Sequence, residues 1–336
     1  MVDYKHLDSM TDDNGLLQFS QLGKPDPRSG YTLDDNARAL LLSIYRGDEK
    51  KATCYASYLY RAQKGASWSN FLLDGKFSSQ FDSEDSVGRA LLACSIGVTS
   101  PWPNISKMCS DMLVNNLPRA LDFTSPRGIA YTLIALCKGK VPLLAENRLQ
   151  IIEMLSNRLI NLYQLKHDRN WLWFENKLTY CNGILPLALF AVYAVNGDKK
   201  ALKVGYESLN FLNNILFRKG YLNIIGNQLW YTKGGSIPLF DQQPVDAAAT
   251  YFSCIEAYEV LGRQEYLQLA YLAHKWFRGA NIHSLSLYNE ETGGCYDALT
   301  YEGVNKNQGA ESTLSLLLCD LHAEKQMALD SQEGIS

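Results

Sequence analysis

The chain has 336 residues, 46% hydrophobic and 20% charged, the composition of a folded protein able to bury a large core. Its 32 Lys and Arg against 35 Asp and Glu leave a formal charge of −3, too weak a positive field to hold nucleic acid by its phosphates. The longest apolar stretch, Ile184 to Val195, has 12 residues and includes Pro186, short of the roughly 20 that a membrane span needs.

The start, Met1-Val-Asp-Tyr-Lys-His-Leu-Asp, is polar where a secretory leader needs an apolar run, so the expected compartment is the cytoplasm. Of the eight cysteines, Cys54, Cys94, Cys109, Cys137, Cys254 and Cys319 sit in apolar helical contexts and are expected as reduced, buried side chains. There is no C-x-x-C or H-E-x-x-H, and His6, His167, His274, His283 and His322 are scattered, so no metal site is expected. Neither G-x-G-x-x-G nor a Walker sequence occurs, and no cofactor is expected.

A polar or acidic cluster followed by a helix of small and apolar residues recurs along the chain. The copies begin at Thr32-Leu-Asp-Asp-Asn-Ala-Arg, Asp82-Ser-Glu-Asp-Ser-Val-Gly-Arg, Ser125-Pro-Arg-Gly, Cys181-Asn-Gly-Ile, Gln243-Pro-Val-Asp and Gly309-Ala-Glu-Ser. Between them lie longer amphipathic segments, near 50–63, 104–117, 199–217 and 264–278, with a further one carrying Leu149, Ile152, Leu155, Leu159 and Leu162 on one stripe. The first set reads as inner helices, apolar on most sides, and the second as outer helices with one wet face. Such hairpins cannot bury their apolar sides singly, so they stack and close. The expected fold is an all-α (α/α)6 toroid over 1–324, with 325–336 as a disordered C-terminal tail.

The connections into the inner helices are long, as at Trp68–Phe81, Trp171–Tyr180, Tyr221–Phe240 and Leu287–Gln308, whereas Arg46-Gly-Asp and Asn196-Gly-Asp are tight returns. Function is therefore expected on the long-loop face. Gly220 to Tyr231 reads as a small hairpin turning at Gly226-Asn227.

Carboxylates gather at that face. Asp35, Glu84, Asp85, Asp241, Asp246 and Glu311 are the catalytic candidates, because glycosidic cleavage needs one carboxyl to donate a proton and a second to attack or activate water. Asp34, Asn36, Arg38, Arg89, Glu175, Asn182, Gln242, Gln243, Asp297, Asn305 and Gln308 are expected to bind sugar hydroxyls. Trp173, Trp230 and Tyr296 are expected to offer faces to sugar C–H groups, with Trp68 and Tyr231 beside them. The competing reading is structural. Thr32-x-x-Asp35 and Asp82-x-x-Asp85 have capping-box spacing, acids suit a first helical turn, and the two arginines suit internal ion pairs. The adjacent acids Asp34/Asp35 and Glu84/Asp85 are also placed to raise one another's pKa.

The strings Gly30-Tyr-Thr-Leu-Asp-Asp-Asn-Ala-Arg-Ala-Leu, Ser83-Glu-Asp-Ser-Val-Gly-Arg-Ala-Leu, Phe240-Asp-Gln-Gln-Pro-Val-Asp-Ala, Thr292-Gly-Gly-Cys-Tyr-Asp and Asn307-Gln-Gly-Ala-Glu-Ser-Thr resemble a helical module of bacterial proteins labelled glycosyltransferases. That module is similar to the six-hairpin glycosidase superfamily, and the resemblance runs from about His6 to His322. It implies a glycoside hydrolase acting on an oligosaccharide through inner-helix or loop carboxylates, with inversion. The alternative it leaves open is a noncatalytic glycan-binding or scaffold module associated with a glycosyltransferase. Tyr180-Cys181-Asn182-Gly183 departs from the pattern where an acid is expected, with Glu175 upstream as a substitute. Sugar epimerases on related toroids use histidine pairs, which no inner start carries, and terpene cyclases need acid motifs that are incomplete at Asp34-Asp35-Asn36.

Overall fold

The computed structural model describes residues 2–333. Its helices in chain order are α1 Lys5–Ser9, α2 Leu33–Arg46, α3 Glu49–Arg61, α4 Glu84–Gly97, α5 Pro103–Asn116, α6 Pro126–Lys138, α7 Ala145–Lys166, α8 Ile184–Asn196, α9 Lys199–Leu216, α10 Pro244–Leu261, α11 Gln264–Trp276 and α12 Ala310–Glu333. The strands are two or three residues long and pair as antiparallel ribbons within the loops.

Going round the molecule, α2 packs on α4, α4 on α6, α6 on α8, α8 on α10, α10 on α12, and α12 back on α2. These six form a closed inner ring. Outside it, α3, α5, α7, α9 and α11 each pack on the inner helix before them in the chain, and α1 lies against α12. The two ends of the chain thus supply the sixth pair, and the architecture is an (α/α)6 toroid. Residue pattern explains the layering. In α8 every residue from Leu185 to Val192 is buried, as a helix between two layers requires. In α7 the buried set is the stripe Ile152, Leu155, Ser156, Leu159, Ile160 and Tyr163, the mark of a helix with one wet face.

Close approach between inner helices depends on missing side chains. A Cβ on Gly88 of α4 would lie 2.8 Å from the Gly128 carbonyl oxygen of α6, and one on Gly128 would lie 3.0 Å from the Glu84 backbone. The tight returns use a second property of glycine. Gly47 and Gly197 end α2 and α8 in the left-handed conformation, and Asp48 and Asp198 then cap α3 and α9.

Two ribbons tie the long loops together on one face. Tyr31–Thr32 pairs with Phe71–Leu72, and Lys177–Leu178 pairs with Tyr231–Thr232. The second replaces the hairpin expected within Gly220–Tyr231. That segment bonds elsewhere: Asn223 N–H donates to the Leu216 carbonyl, Gly226 to Pro238 and Asn227 to Asp241. The backbone of Phe240 lies so close that a Cβ on Gly226 would meet it at 2.0 Å.

Residues 325–333, expected as part of a disordered tail, continue α12, while 334–336 lie outside the described residues. None of the eight cysteines is in a disulfide, and Cys54 and Cys137 are half-buried where the other six are buried. Among the described residues no helix is long and apolar enough to cross a membrane.

Candidate active site at the inner-helix starts

Each inner helix is entered from a long loop, and the five before α12 are left by a shorter return, so all six begin at the same end of the ring. At that level side chains form a belt from helix to helix. Arg38 of α2 bonds Glu311 of α12 at 2.6 Å and Asp35 of its own helix at 3.2 Å. Arg89 of α4 bonds Asp34 of α2 at 2.7 Å and lies 4.6 Å over the Tyr131 ring of α6. Asp85 accepts from Ser125, the residue capping α6, and from the Tyr180 hydroxyl. Arg127 of α6 reaches the loop before α8, donating to Glu175, Thr179, Asn182 and the Tyr180 carbonyl. Asp246 of α10 accepts the Cys181 N–H at 2.6 Å.

The belt is open at one junction. Among the described residues no side-chain hydrogen bond joins α10 to α12 at this level, where the loops before them pair through two backbone bonds between Gln242 and Leu299; the acids at the two helix starts are Asp246, 6% exposed, and Glu311. Burial pushes the Asp246 carboxyl up to about 7, and the Glu311 charge adds to the rise against the Cys181 N–H and Arg127. Glu311 is 42% exposed.

Several of the expected site acids have their oxygens engaged by partners within the protein. Glu84 accepts the Thr124 and Ser125 N–H groups at 2.7 and 2.5 Å, fastening the approach to α6. Asp34 holds Arg89 and Asn70 with its two oxygens, Asp35 holds Arg38 and Thr32, and Asp85 holds Ser125 and Tyr180. Asp35 is also raised to about 7, but burial is the first cause and Asp34 is the least of those that act on it. The expected capping pair Asp82/Asp85 is instead Ser83/Ser86, which form the box that starts α4. Asp241 is half-buried and accepts from Gln228 at 3.4 Å.

The binding candidates divide similarly. Asn36 is fully buried and holds the Leu16 backbone. Gln242 joins Asn223, Leu239 and Trp276, while Gln308 accepts from Thr292. Asn182 is folded onto Thr179, and Asp297 receives the Gly309 N–H, its carboxyl raised by burial. Gln243 starts α10 without a side-chain capping bond. Asn305 is exposed on the 298–305 ribbon, away from the belt bonds. Trp173 and Trp68 are core residues, at 0% and 2% exposure, so neither offers a face to a sugar. Trp230 is half-buried, its ring centroid 6.2 Å from that of Tyr180, and the Leu178–Tyr231 pairing brings it there. Tyr296, also half-buried, accepts from Asn289.

Arg127 was missed as a site residue. Its signal was present: the third inner start carries an arginine where others carry an acid, and the fourth departs from the pattern at the loop this arginine holds. Among the described residues no group of three or more His, Cys, Asp or Glu is arranged to hold a metal ion.

No family model matches the sequence, and no curated protein matches it. Among solved structures the chain is similar to cellobiose 2-epimerase from Bacillus thermoamylovorans, with a TM-score of 0.71 at 10% identity over 95% of this chain and 96% of that one. It is similar to a sugar epimerase from a ruminal bacterium, with a TM-score of 0.68 at 11% identity over 94% of each chain. It is also similar to a GH76 α-mannanase from Bacteroides thetaiotaomicron, with a TM-score of 0.58 at 12% identity over 89% of this chain and 85% of that one. At such identities the likeness establishes the toroidal fold.

Proposed function

We propose that this chain is a carbohydrate-active enzyme that hydrolyses a glycosidic bond of an oligosaccharide at the open junction between Asp246 and Glu311. The observation that carries the reading is the difference between these two carboxyls. Asp246 is buried, with a carboxyl near 7, which suits a proton donor to the leaving oxygen at neutral pH. Glu311 is accessible and ion-paired with Arg38, which suits a base that activates water. One acid that donates and one that receives is the division of labour glycoside cleavage needs, and inversion is the route the family resemblance implies. Tyr180, whose neighbour Cys181 donates its N–H to Asp246, and the half-buried Trp230 next to it provide aromatic surface at this end of the ring. The solved structures named above include sugar epimerases and a mannanase, which supports a sugar as substrate. Hydrolysis is favoured over epimerisation because the inner-helix starts carry carboxylates and arginines and no histidine.

The test is incubation with manno- and gluco-oligosaccharides of several linkages, with products read by chromatography and their anomeric form by NMR. Release of a shorter sugar in the inverted anomer is the expected result. Saturable binding with no product from any bound sugar would overturn hydrolysis in favour of a glycan-binding module.

A further inference from the structure

Below the arginines the ring is hollow. A cavity of about 540 Å³ runs inside it, within the range of small-molecule sites. Its walls are aliphatic and aromatic side chains of the inner helices, among them Leu92, Ile134, Leu187, Phe252, Leu318 and Leu321. Leu92, Phe252, Leu318 and Leu321 are only half-buried, because none of the described residues covers their lumen side.

The cavity is blind at the sugar end. Arg38, Arg89, Tyr131 and Cys181 line it there, each 8% exposed or less; Arg38 is paired with Glu311 and Arg89 with Asp34, the Arg89 Nε–H alone being buried without a partner. At the other end its lining residues Tyr45, Lys138, Glu259 and Lys325 are exposed, so the entrance opens on the face opposite the carboxylates. Along α12 the lining runs from Ser315 to Gln326, a depth of about 16 Å at the helical rise of about 1.5 Å per residue.

We infer that this lumen is a second binding site, for the aliphatic chain of a medium-length fatty acid whose carboxylate rests at the Lys325 entrance. An apolar bore of this size is poorly served by water and takes apolar guests, and a closed floor with one entrance suits a chain that enters end-on. The entrance supplies the cation. Lys138 is neutralised by Glu256 and Glu259 at 2.5 and 3.3 Å. Lys325 donates to the Tyr45 carbonyl at 2.6 Å and lies 5.7 Å from the centroid of the Tyr45 ring, with further N–H donors available to an anionic head. The site does not depend on the hydrolase reading, since its floor separates it from the carboxylate junction.

Isothermal titration calorimetry of the whole chain tests it with sodium dodecanoate, dodecanol and phosphatidylglycerol vesicles in parallel. Dodecanoate is expected to bind one to one, with heat that grows more exothermic as temperature rises, the sign of apolar burial. Leu318→Trp and, independently, Ala248→Phe fill the bore and are expected to weaken binding by about tenfold or more, with circular dichroism confirming that at least one of the two folds. Lys325→Ala is expected to weaken dodecanoate while leaving dodecanol unchanged. The proposal is overturned if dodecanoate fails to saturate below its own self-association, if a folded, filled variant binds it as the parent does, if Lys325→Ala leaves dodecanoate binding unchanged, or if only the vesicles bind.

Discussion

Arg38 of α2 donates to Glu311 of α12 at 2.6 Å, a bond between residues 273 positions apart that closes the inner ring beside the open junction. Glu311 is thus a partner in ring closure and, under the proposed mechanism, also the base, and its amide separates the two roles. Glu311→Gln keeps an oxygen for Arg38 but cannot take a proton. Turnover of a cleaved oligosaccharide is expected to fall about 10²–10⁴-fold, with sugar binding and the melting temperature close to those of the parent. Asp246→Asn is expected to behave alike, because an amide oxygen can still accept the Cys181 N–H. Unchanged turnover in both variants would exclude this pair.

Glu84 provides the contrast. Its oxygens hold the N–H groups of Thr124 and Ser125, so Glu84→Gln is expected to cost about 1 kcal/mol of stability and to leave kcat within about twofold, far from the loss that removing a proton carrier causes. Chemical denaturation and steady-state kinetics on one preparation check both. A large loss of kcat would restore Glu84 to the catalytic set.

The two tryptophans expected as sugar platforms should separate by stability. Trp173→Ala empties a fully buried position and is expected to cost about 3–5 kcal/mol. Trp230→Ala removes a half-buried ring at the mouth. It is expected to cost under about 1 kcal/mol while raising KM for an oligosaccharide about tenfold. Equal destabilisation by the two would show that Trp230 is also a core residue.

Stability should carry the signature of the buried acids. The carboxyls of Asp35 and Asp246 stand at about 7, against about 3.9 in an unfolded chain. Between those values the folded state holds protons that the unfolded state has released. Their contribution is full below about pH 4 and is lost as pH rises to about 7, beyond which it is level. Asp246→Asn removes one of the two groups, so its unfolding free energy is expected to decline less than the parent's between pH 4 and 7. Parallel pH profiles for the two proteins would contradict the raised carboxyl. If Asp246 donates the proton, kcat/KM should also fall as pH rises through about 7.

Arg127 anchors the loop before α8 through four partners. Arg127→Ala strands Glu175 and frees the Thr179–Asn182 turn, with an expected cost of about 3 kcal/mol. Hydrogen exchange at residues 175–183 should rise more than elsewhere. Uniform protection across that loop would mean that the ribbon with Tyr231–Thr232 holds it without the arginine.

The alternation of all-round apolar helices with striped ones was legible in the chain itself, because periodicity records how many sides of a helix are buried. The starts at Pro126 and Pro244 and the returns at Gly47 and Gly197 followed from local chemistry: caps, prolines and left-handed glycines act within a few residues. The face that carries the long loops was legible too, since long loops enter only one set of helices. What each polar residue does there was decided by the tertiary structure. Asp34, Asp35, Asp85, Asp246 and Glu311 look alike in sequence, each an acid near a helix start. Whether such an acid holds an arginine, caps a neighbour or faces an opening depends on partners tens or hundreds of residues away, as Asp34 does on Arg89 and Glu311 on Arg38. Burial of Trp173 depended likewise on Phe211 of α9. The hollow ring was hidden for the same reason: an apolar residue facing a neighbouring helix and one facing an open lumen leave the same letter in the sequence.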